Sequence, residues 1–252
     1  MTFRDLMGLA RSLAVYHGNL PKRRRGLRLY RQFIEPGDLV FDVGAHVGGR
    51  TSWFRTLGAR VVAVEPSPQM LTVLRLLFGR DRDVVLVPAA IGREVGTARL
   101  HVSTGNPMLA TLAGDWVDEA ATTDGFREIV WDRAEETAVT TLDRLIETHG
   151  EPAFCKIDVE AAEADVLAGL HHRVRGLSFE FINGQQARAG LCLDLLDRLG
   201  PYEYALSFAE SFQLSAAGWG DSVMLRDQLA ALPAEVGSGD VYARLRGGGP
   251  DP

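Results

Sequence analysis

Two acidic residues at the ends of adjacent apolar runs carry the first chemical signal in this chain. Asp42 precedes a glycine-rich turn in Phe41-Asp42-Val43-Gly44-Ala45-His46-Val47-Gly48-Gly49, and Glu65 closes the run Val62-Ala63-Val64-Glu65-Pro66. A buried strand that enters glycines and then a helix is where doubly wound sheets hold nucleotides, at the carboxyl ends of their strands. Gly44 is expected to let the backbone turn and approach a ligand with no Cβ in the way, and Gly48 to permit close packing at the helix start. The dinucleotide fingerprint G-x-G-x-x-G is not met, because His46 stands where the second glycine belongs, and there is no Walker A loop.

The sign of one charge then separates the nucleotides. Asp42 would repel a pyrophosphate in a site built to attract anions. S-adenosylmethionine carries a sulfonium and an ammonium and no phosphate, so it suits the same carboxylate, and a nicotinamide-dependent oxidoreductase becomes the weaker alternative. Glu65 lies roughly 20 residues past the first strand, where an acid can accept both ribose hydroxyls. Ala45, His46, Thr51, Pro66 and Ser67 belong to the same expected cofactor-binding set, with Ser67 placed to cap the next helix. Ala89 and Ala90 would leave room for a flat adenine.

A second group of acids has the chemistry of proton transfer. Asp158 and Glu160 follow the apolar run Phe154 to Val159, and Glu180 interrupts Ser178-Phe179-Glu180-Phe181. A charge inside an apolar strand is costly unless it is paired or functional. Lys156 is a candidate partner of Glu180, its competing role being that of a strand-edge lysine. Asp158 is the first candidate base for an acceptor hydroxyl, with Glu160, Glu180 and His46 behind it. Its competing role is to cap the helix that follows. Asp158, Glu160 and Glu180 could converge on magnesium, but their spacing is not diagnostic and no metal is assigned.

The elements that must position these residues alternate in type. Apolar, β-branched runs at 39–43, 60–64, 84–87, 154–159, 177–182, 203–208 and 240–245 predict strands. Amphipathic segments at 51–57, 68–78, 141–148, 161–170 and 191–199 predict helices. That cadence predicts an α/β domain with a mostly parallel, Rossmann-like sheet. Residues 99–102 add an extra strand. From 103 to 136 the pattern dissolves, with Trp116, Phe126 and Trp131 embedded, which suggests a lid or substrate insertion. The domain is expected over 37–246, with a helical extension over 1–36 and a disordered tail over 247–252.

Composition excludes several classes. The net charge of −6 argues against a nucleic-acid binder. The basic run Lys22-Arg23-Arg24-Arg25, with Arg28 and Arg31, is read as a solvated helix face rather than a site for an anionic partner or a membrane. The two cysteines, Cys155 and Cys192, sit in apolar runs with no CxxC, which argues against disulfides or structural zinc. With no signal sequence or membrane span apparent, a cytoplasmic location is expected. Pairing with a second copy to form a homodimer is left open.

The segments VFDVGAHVGG (40–49), VVAVEPSP (61–68), PAAIG (88–92), TTLDRL (140–145) and KIDVEAAEADVLAGL (156–170) together resemble the FkbM-type methyltransferase family, in its order and spacing. The resemblance runs from about Gly37 to Phe181. It implies a class I methyltransferase fold, a seven-stranded sheet with its last strand antiparallel. It also implies S-adenosylmethionine as methyl donor and O-methylation of a small molecule such as a sugar or natural product. Asp42 and Gly44 would hold the methionine end, Glu65 the ribose, and Ala89-Ala90 would lie near the adenine. Asp158 and Glu160 would face the methyl group. Ala161 stands where the family usually has glycine and is read as a helix-start alanine. An adenine-binding acid at the third strand end is missing. A catalytically silent cofactor-binding scaffold is the remaining alternative.

Overall fold

The computed structural model describes residues 19–103, 110–120, 129–233 and 235–247. The expected helical pattern of Leu6, Leu9, Leu13 and Val15, residue Phe126, and the tail beyond Gly247 lie outside the described residues. In chain order the first half comprises α1 (Leu20–Tyr30), β1 (Leu39–Val43), α2 (Gly49–Thr56), β2 (Arg60–Val64), α3 (Pro68–Phe78), β3 (Val84–Val87), β4 (Ala90–Ile91), β5 (Gly96–Val102), β6 (Ala110–Thr111) and α4 (Gly114–Ala120). The second half comprises β7 (Arg133–Thr140), α5 (Leu142–His149), β8 (Phe154–Ile157), α6 (Glu163–Ala168), β9 (Gly176–Ile182), α7 (Gln186–Leu199), β10 (Tyr202–Phe208), α8 (Ser222–Ala230) and β11 (Ser238–Leu245).

The main sheet has seven strands in the order β10-β11-β9-β8-β1-β2-β3. Only β11 runs against its neighbours, antiparallel to both β9 and β10; the other pairs are parallel. Every residue of β1 and β8 is buried, as expected of central strands covered on both faces. Side chains alternate across the sheet. Phe41, Val43, Ile157 and Phe179 face Leu193 and Leu196 of α7, whereas Val40, Phe154 and Tyr242 face Tyr30, Trp53 and Phe54.

Asn19 and Pro21 open α1: the Asn19 side chain accepts the Lys22 N–H at 3.0 Å, and proline occupies the first turn. Tyr30 then buries its ring edge-on to Phe54 at a centroid distance of 4.9 Å. The basic run is not a purely solvated face. Lys22 is buried and paired with Glu210, Arg23 donates to Thr56 Oγ1 at 3.0 Å, and Arg25 donates to the Ser211 carbonyl at 3.0 Å. These contacts tie α1 to α2 and to the loop after β10.

The segment after β3 departs most from the sequence pattern. A second sheet has four strands in the order β4-β7-β5-β6. Strand β7 is drawn from residues 133–136, read as irregular, and the stretch beyond them; it pairs antiparallel with β5 along Gly96–Val102. Its Arg-Ala-Glu-Glu-Thr sequence is largely exposed, so no apolar alternation announced it and cross-strand pairing defines it. Helices α4 and α8 were likewise not expected; α8 starts at Asp221, whose side chain accepts the Met224 N–H at 2.9 Å. Helix α7 begins at Gln186, a turn and a half earlier than its clearest apolar residues.

Gly48 caps α2 at φ 77°, and a Cβ there would lie 2.3 Å from Phe78 Cε2. Gly48→Ala is therefore expected to destabilise the protein by about 2–3 kcal/mol through left-handed strain and overpacking. Urea unfolding that shifts by less than about 0.5 kcal/mol would show that α3 yields freely at this point.

Candidate active site

The carboxyl ends of β1, β2 and β8 open into a cavity of about 290 Å³. On one side it is lined by Gly44, Ala45, His46, Glu65, Pro66, Ser67, Ala89 and Ala90. Glu65 is 5% exposed, and both carboxylate oxygens are held by backbone: Oε2 accepts the His46 N–H and Oε1 the Ser67 N–H, each at 2.8 Å. Ser67 occupies the cap position of α3 without a side-chain cap bond; its backbone serves Glu65 instead. Burial pushes the Glu65 carboxyl up to about 7, and the two backbone bonds offset this only in part.

Gly44 lines the cavity and turns the chain, and it has a packing reason besides. It sits at φ 76°, and a Cβ would fall 1.8 Å from the Asp158 carbonyl oxygen. The missing side chain lets the exit turn of β1 touch the exit turn of β8, so protein rather than ligand fills that space. Asp42, Gly48 and Thr51 stand behind the cavity wall. Asp42 is fully buried, with its Oδ2 accepting from Thr51 Oγ1 at 2.6 Å.

Asp42 belongs to a polar row that crosses four strands. Register places Asp42 beside Lys156, Lys156 beside Ser178, and Ser178 beside Tyr242, and each is at most 3% exposed. Lys156 Nζ donates to Asp158 Oδ2 at 2.7 Å. Burial alone would lower the Lys156 pKa, but Asp158 and Asp42 outweigh it and hold the ammonium charged. Burial likewise pushes Asp158 up, yet the Lys156 ammonium beside it holds its carboxyl below the usual range. Lys156 therefore serves Asp158, and not Glu180.

Asp158, Glu160 and Glu180 converge on the far side of the cavity, with carboxylate oxygens within 4.8 Å of one another. One Asp158 oxygen, Oδ2, is bonded to Lys156. Glu160 is raised well above the ordinary range by burial and then by Asp158 and Glu163. Burial raises Glu180 in the same way, reinforced by Asp158 and Glu160. Burial takes His46 down to about 4, so the ring is neutral at pH 7. Asp158 does not cap α6; the Glu163 side chain accepts the Val159 N–H at 3.1 Å there.

Sequence reasoning missed Arg50 and Asp240, which also line the cavity. The Arg50 guanidinium lies 4.6 Å from the ring centres of both Trp53 and Phe212. Asp240 is in register with Glu180 on the neighbouring strand. It stands at the start of the run Asp240-Val241-Tyr242, after Ser238 and Gly239, so its signal in the sequence was only weak. Arg50 gave none, because only the fold brings Phe212 over it.

The FkbM methyltransferase domain matches residues 42–191. The chain belongs to this family. As in the family, its cofactor is S-adenosylmethionine. The 31-O-demethyl-FK506 methyltransferase FkbM of Streptomyces tacrolimicus is 33% identical over 162 residues, 54% of this chain and 61% of that protein. The chain thus matches about three fifths of that relative's length. Among solved structures, the precorrin-6y C5,15-methyltransferase of Geobacter metallireducens has a TM-score of 0.46 at 11% identity, covering 88% of this chain and 87% of that one. Aeropyrum pernix fibrillarin with bound S-adenosyl-L-methionine has a TM-score of 0.46 at 10% identity, covering 83% and 67%.

Against its FkbM relatives, Ala161 can now be placed. It is not a helix-start alanine: α6 begins at Glu163, and Ala161 lies before it at φ 75°, next to Glu160 at φ 54°. The family's usual glycine suits that backbone, and alanine strains it. Ala161→Gly is expected to raise stability by about 1 kcal/mol, read as a higher urea midpoint at unchanged m-value. A lower midpoint would show that the turn is not strained.

Glu65 and Glu163 are raised to about 7 and Asp240 to about 6, all by burial. Groups raised on folding stabilise fully below their unfolded pKa, and that contribution is lost as pH rises through the folded values. The melting temperature of the cofactor-free protein is expected to fall between about pH 5 and about pH 8. A profile that climbs over that interval would contradict these protonation states.

Proposed function

We propose that this protein transfers the methyl group of S-adenosylmethionine to a hydroxyl of a small molecule, such as a sugar or natural product. The observation that carries this is the convergence of Asp158, Glu160 and Glu180 within 4.8 Å, across one cavity from Glu65. Carboxylates accept hydrogen bonds from hydroxyls and can take their protons. The name of the Streptomyces relative, an O-demethyl-compound methyltransferase, supports oxygen as the receiving atom.

The cavity suits the cofactor chemically. Its walls carry Glu65, Asp158, Glu160, Glu180 and Asp240 beside Lys156 and Arg50, so acids outnumber cations and can accept hydrogen bonds from an ammonium and from hydroxyls. Glu65, oriented by His46 and Ser67, keeps lone pairs for ribose hydroxyls. Gly44, Ala45 and His46 would hold the methionine end, with Asp42 and Thr51 behind them, and Ala89 and Ala90 would take the adenine. Bound S-adenosylmethionine supplies an already activated methyl group, so the protein's task is alignment and proton removal.

The base falls to Glu160 or Glu180. Asp158, first in line by sequence, is tied to Lys156 and held low, which makes it the poorer proton acceptor and the better anchor. His46, down to about 4, is a weak base. Glu160 and Glu180, held high first by burial and then by Asp158 beside them, bind a proton more avidly. At low pH both are protonated and idle, so turnover rises with pH. A small-molecule acceptor in the cytoplasm is consistent with the net charge of −6 and with two buried, unbridged cysteines. Among the described residues no helix is long and apolar enough to cross a membrane.

Calorimetric titration is expected to show S-adenosylhomocysteine binding and no NAD binding; the reverse result rejects the proposal. Glu65→Gln, which turns an amide N–H toward a backbone donor, is expected to weaken S-adenosylhomocysteine binding by roughly 10- to 100-fold. Unchanged affinity would remove Glu65 from the ribose. Labelled methyl transfer into a panel of hydroxylated acceptors is expected to fall by about 10²- to 10⁴-fold in kcat for Glu180→Gln or Glu160→Gln, with S-adenosylhomocysteine affinity retained. Full turnover in both variants would move the base elsewhere.

A further inference from the structure

Glu160 reaches the cavity from a turn that the backbone disfavours, with two successive non-glycine residues at φ 54° and 75°. What holds the turn comes from elsewhere in the chain. Thr111 Oγ1 donates to the Glu160 carbonyl at 2.6 Å, and Arg188 Nη1 donates to the Ala161 carbonyl at 3.3 Å. Arg188 also reaches across to α4, where its Nη2 meets Asp115 Oδ2 at 2.8 Å and Glu119 Oε2 at 3.1 Å. Buried Trp116 of α4 packs in one cluster with Ala161, Ala162 and Ile182. Ala110 and Leu112 of the same segment line the cavity.

We propose that Thr111 and Arg188 are positioning residues that clamp the segment 110–120 to the Glu160–Ala161 turn, so that the acceptor-side wall and the catalytic acid are set together. The proposal rests on the methyl-transfer reading of the cavity. Neither residue touches the acid oxygens; both act through carbonyls of the turn. The planar fork of arginine can serve a carbonyl and two carboxylates at once, whereas lysine offers only a point charge. When the segment 110–120 moves away, the Glu160 carbonyl loses Thr111 and Arg188 loses the two carboxylates that hold its fork, so the strained turn is free to relax, taking Glu160 from the cavity. Ala161 makes the clamp necessary, because glycine would hold the same backbone without it.

Hydrogen exchange over residues 110–120 and 158–163 tests this, alongside calorimetry with S-adenosylhomocysteine and labelled methyl transfer into the acceptor panel. Arg188→Ala is expected to speed exchange in both segments together by roughly tenfold or more. It should lower kcat/KM by a similar factor and leave S-adenosylhomocysteine affinity within about twofold. Thr111→Val, which keeps the branched shape, should loosen 158–163 in the same direction, and Arg188→Lys should behave like Arg188→Ala. Adding Ala161→Gly to Arg188→Ala is expected to restore protection at 158–163 but not at 110–120, and to recover kcat while the acceptor KM stays raised. Loosening confined to 110–120, or no rescue by Ala161→Gly, would overturn the clamp. Wild-type protein that ignores S-adenosylhomocysteine while both segments still loosen together would sink the methyl-transfer reading and leave the clamp standing.

Discussion

The Lys156 ammonium, buried in the sheet between Asp42 and Asp158, is the interaction on which the site depends. It is 3% exposed, bonded to Asp158 at 2.7 Å and in register with Asp42. A lone buried charge is expensive, and removing one partner of such a pair typically costs about 3–5 kcal/mol. Here one cation offsets acids on two adjacent strands. One of them is bonded to Thr51 at the start of α2, and the other converges with Glu160 and Glu180. Gly44, pressed against the Asp158 carbonyl, makes the same join in backbone. The two halves of the cavity are therefore one mechanical unit.

Beyond that neutralised pair, the site keeps an excess of acid. Glu210 is matched by Lys22 and Arg50, while Glu65, Glu160, Glu180 and Asp240 share the cavity with their carboxyls raised. Such a wall costs stability when ionised and empty, and recovers it when hydrogen-bond donors or positive charge arrive. Burial first, and then the neighbouring acids, makes Glu160 and Glu180 stronger proton acceptors than free carboxylates, which is what the proposed reaction asks of them. The turn that carries Glu160 adds backbone strain to this, offset by Thr111 and Arg188 from outside.

Much of this was legible before folding. The buried runs at 39–43, 60–64 and 154–157 are apolar enough to be strands in any context, and the acids that end them were visible as exceptions. Glu65, Asp158, Glu160 and Glu180 stood out because carboxylates in apolar surroundings need a reason. The second sheet did not stand out, since β7 is charged and exposed, and only its pairing with β5 makes it a strand. The same holds for α4, a short helix fastened by Trp116 and Arg188.

The sequence by itself determined the family, the parallel core and the identity of the acids, because local apolar pattern and residue type carry that information. Tertiary structure decided which charges neutralise one another. It paired Lys156 with Asp158 rather than Glu180, withdrew Asp42 behind the wall, and brought Arg50 under Phe212. It also gave Gly44 and Ala161 their meaning, one as a point of backbone contact and the other as a strained turn. Pairing, burial and φ depend on what lies opposite across the sheet, and no window of neighbouring residues contains that.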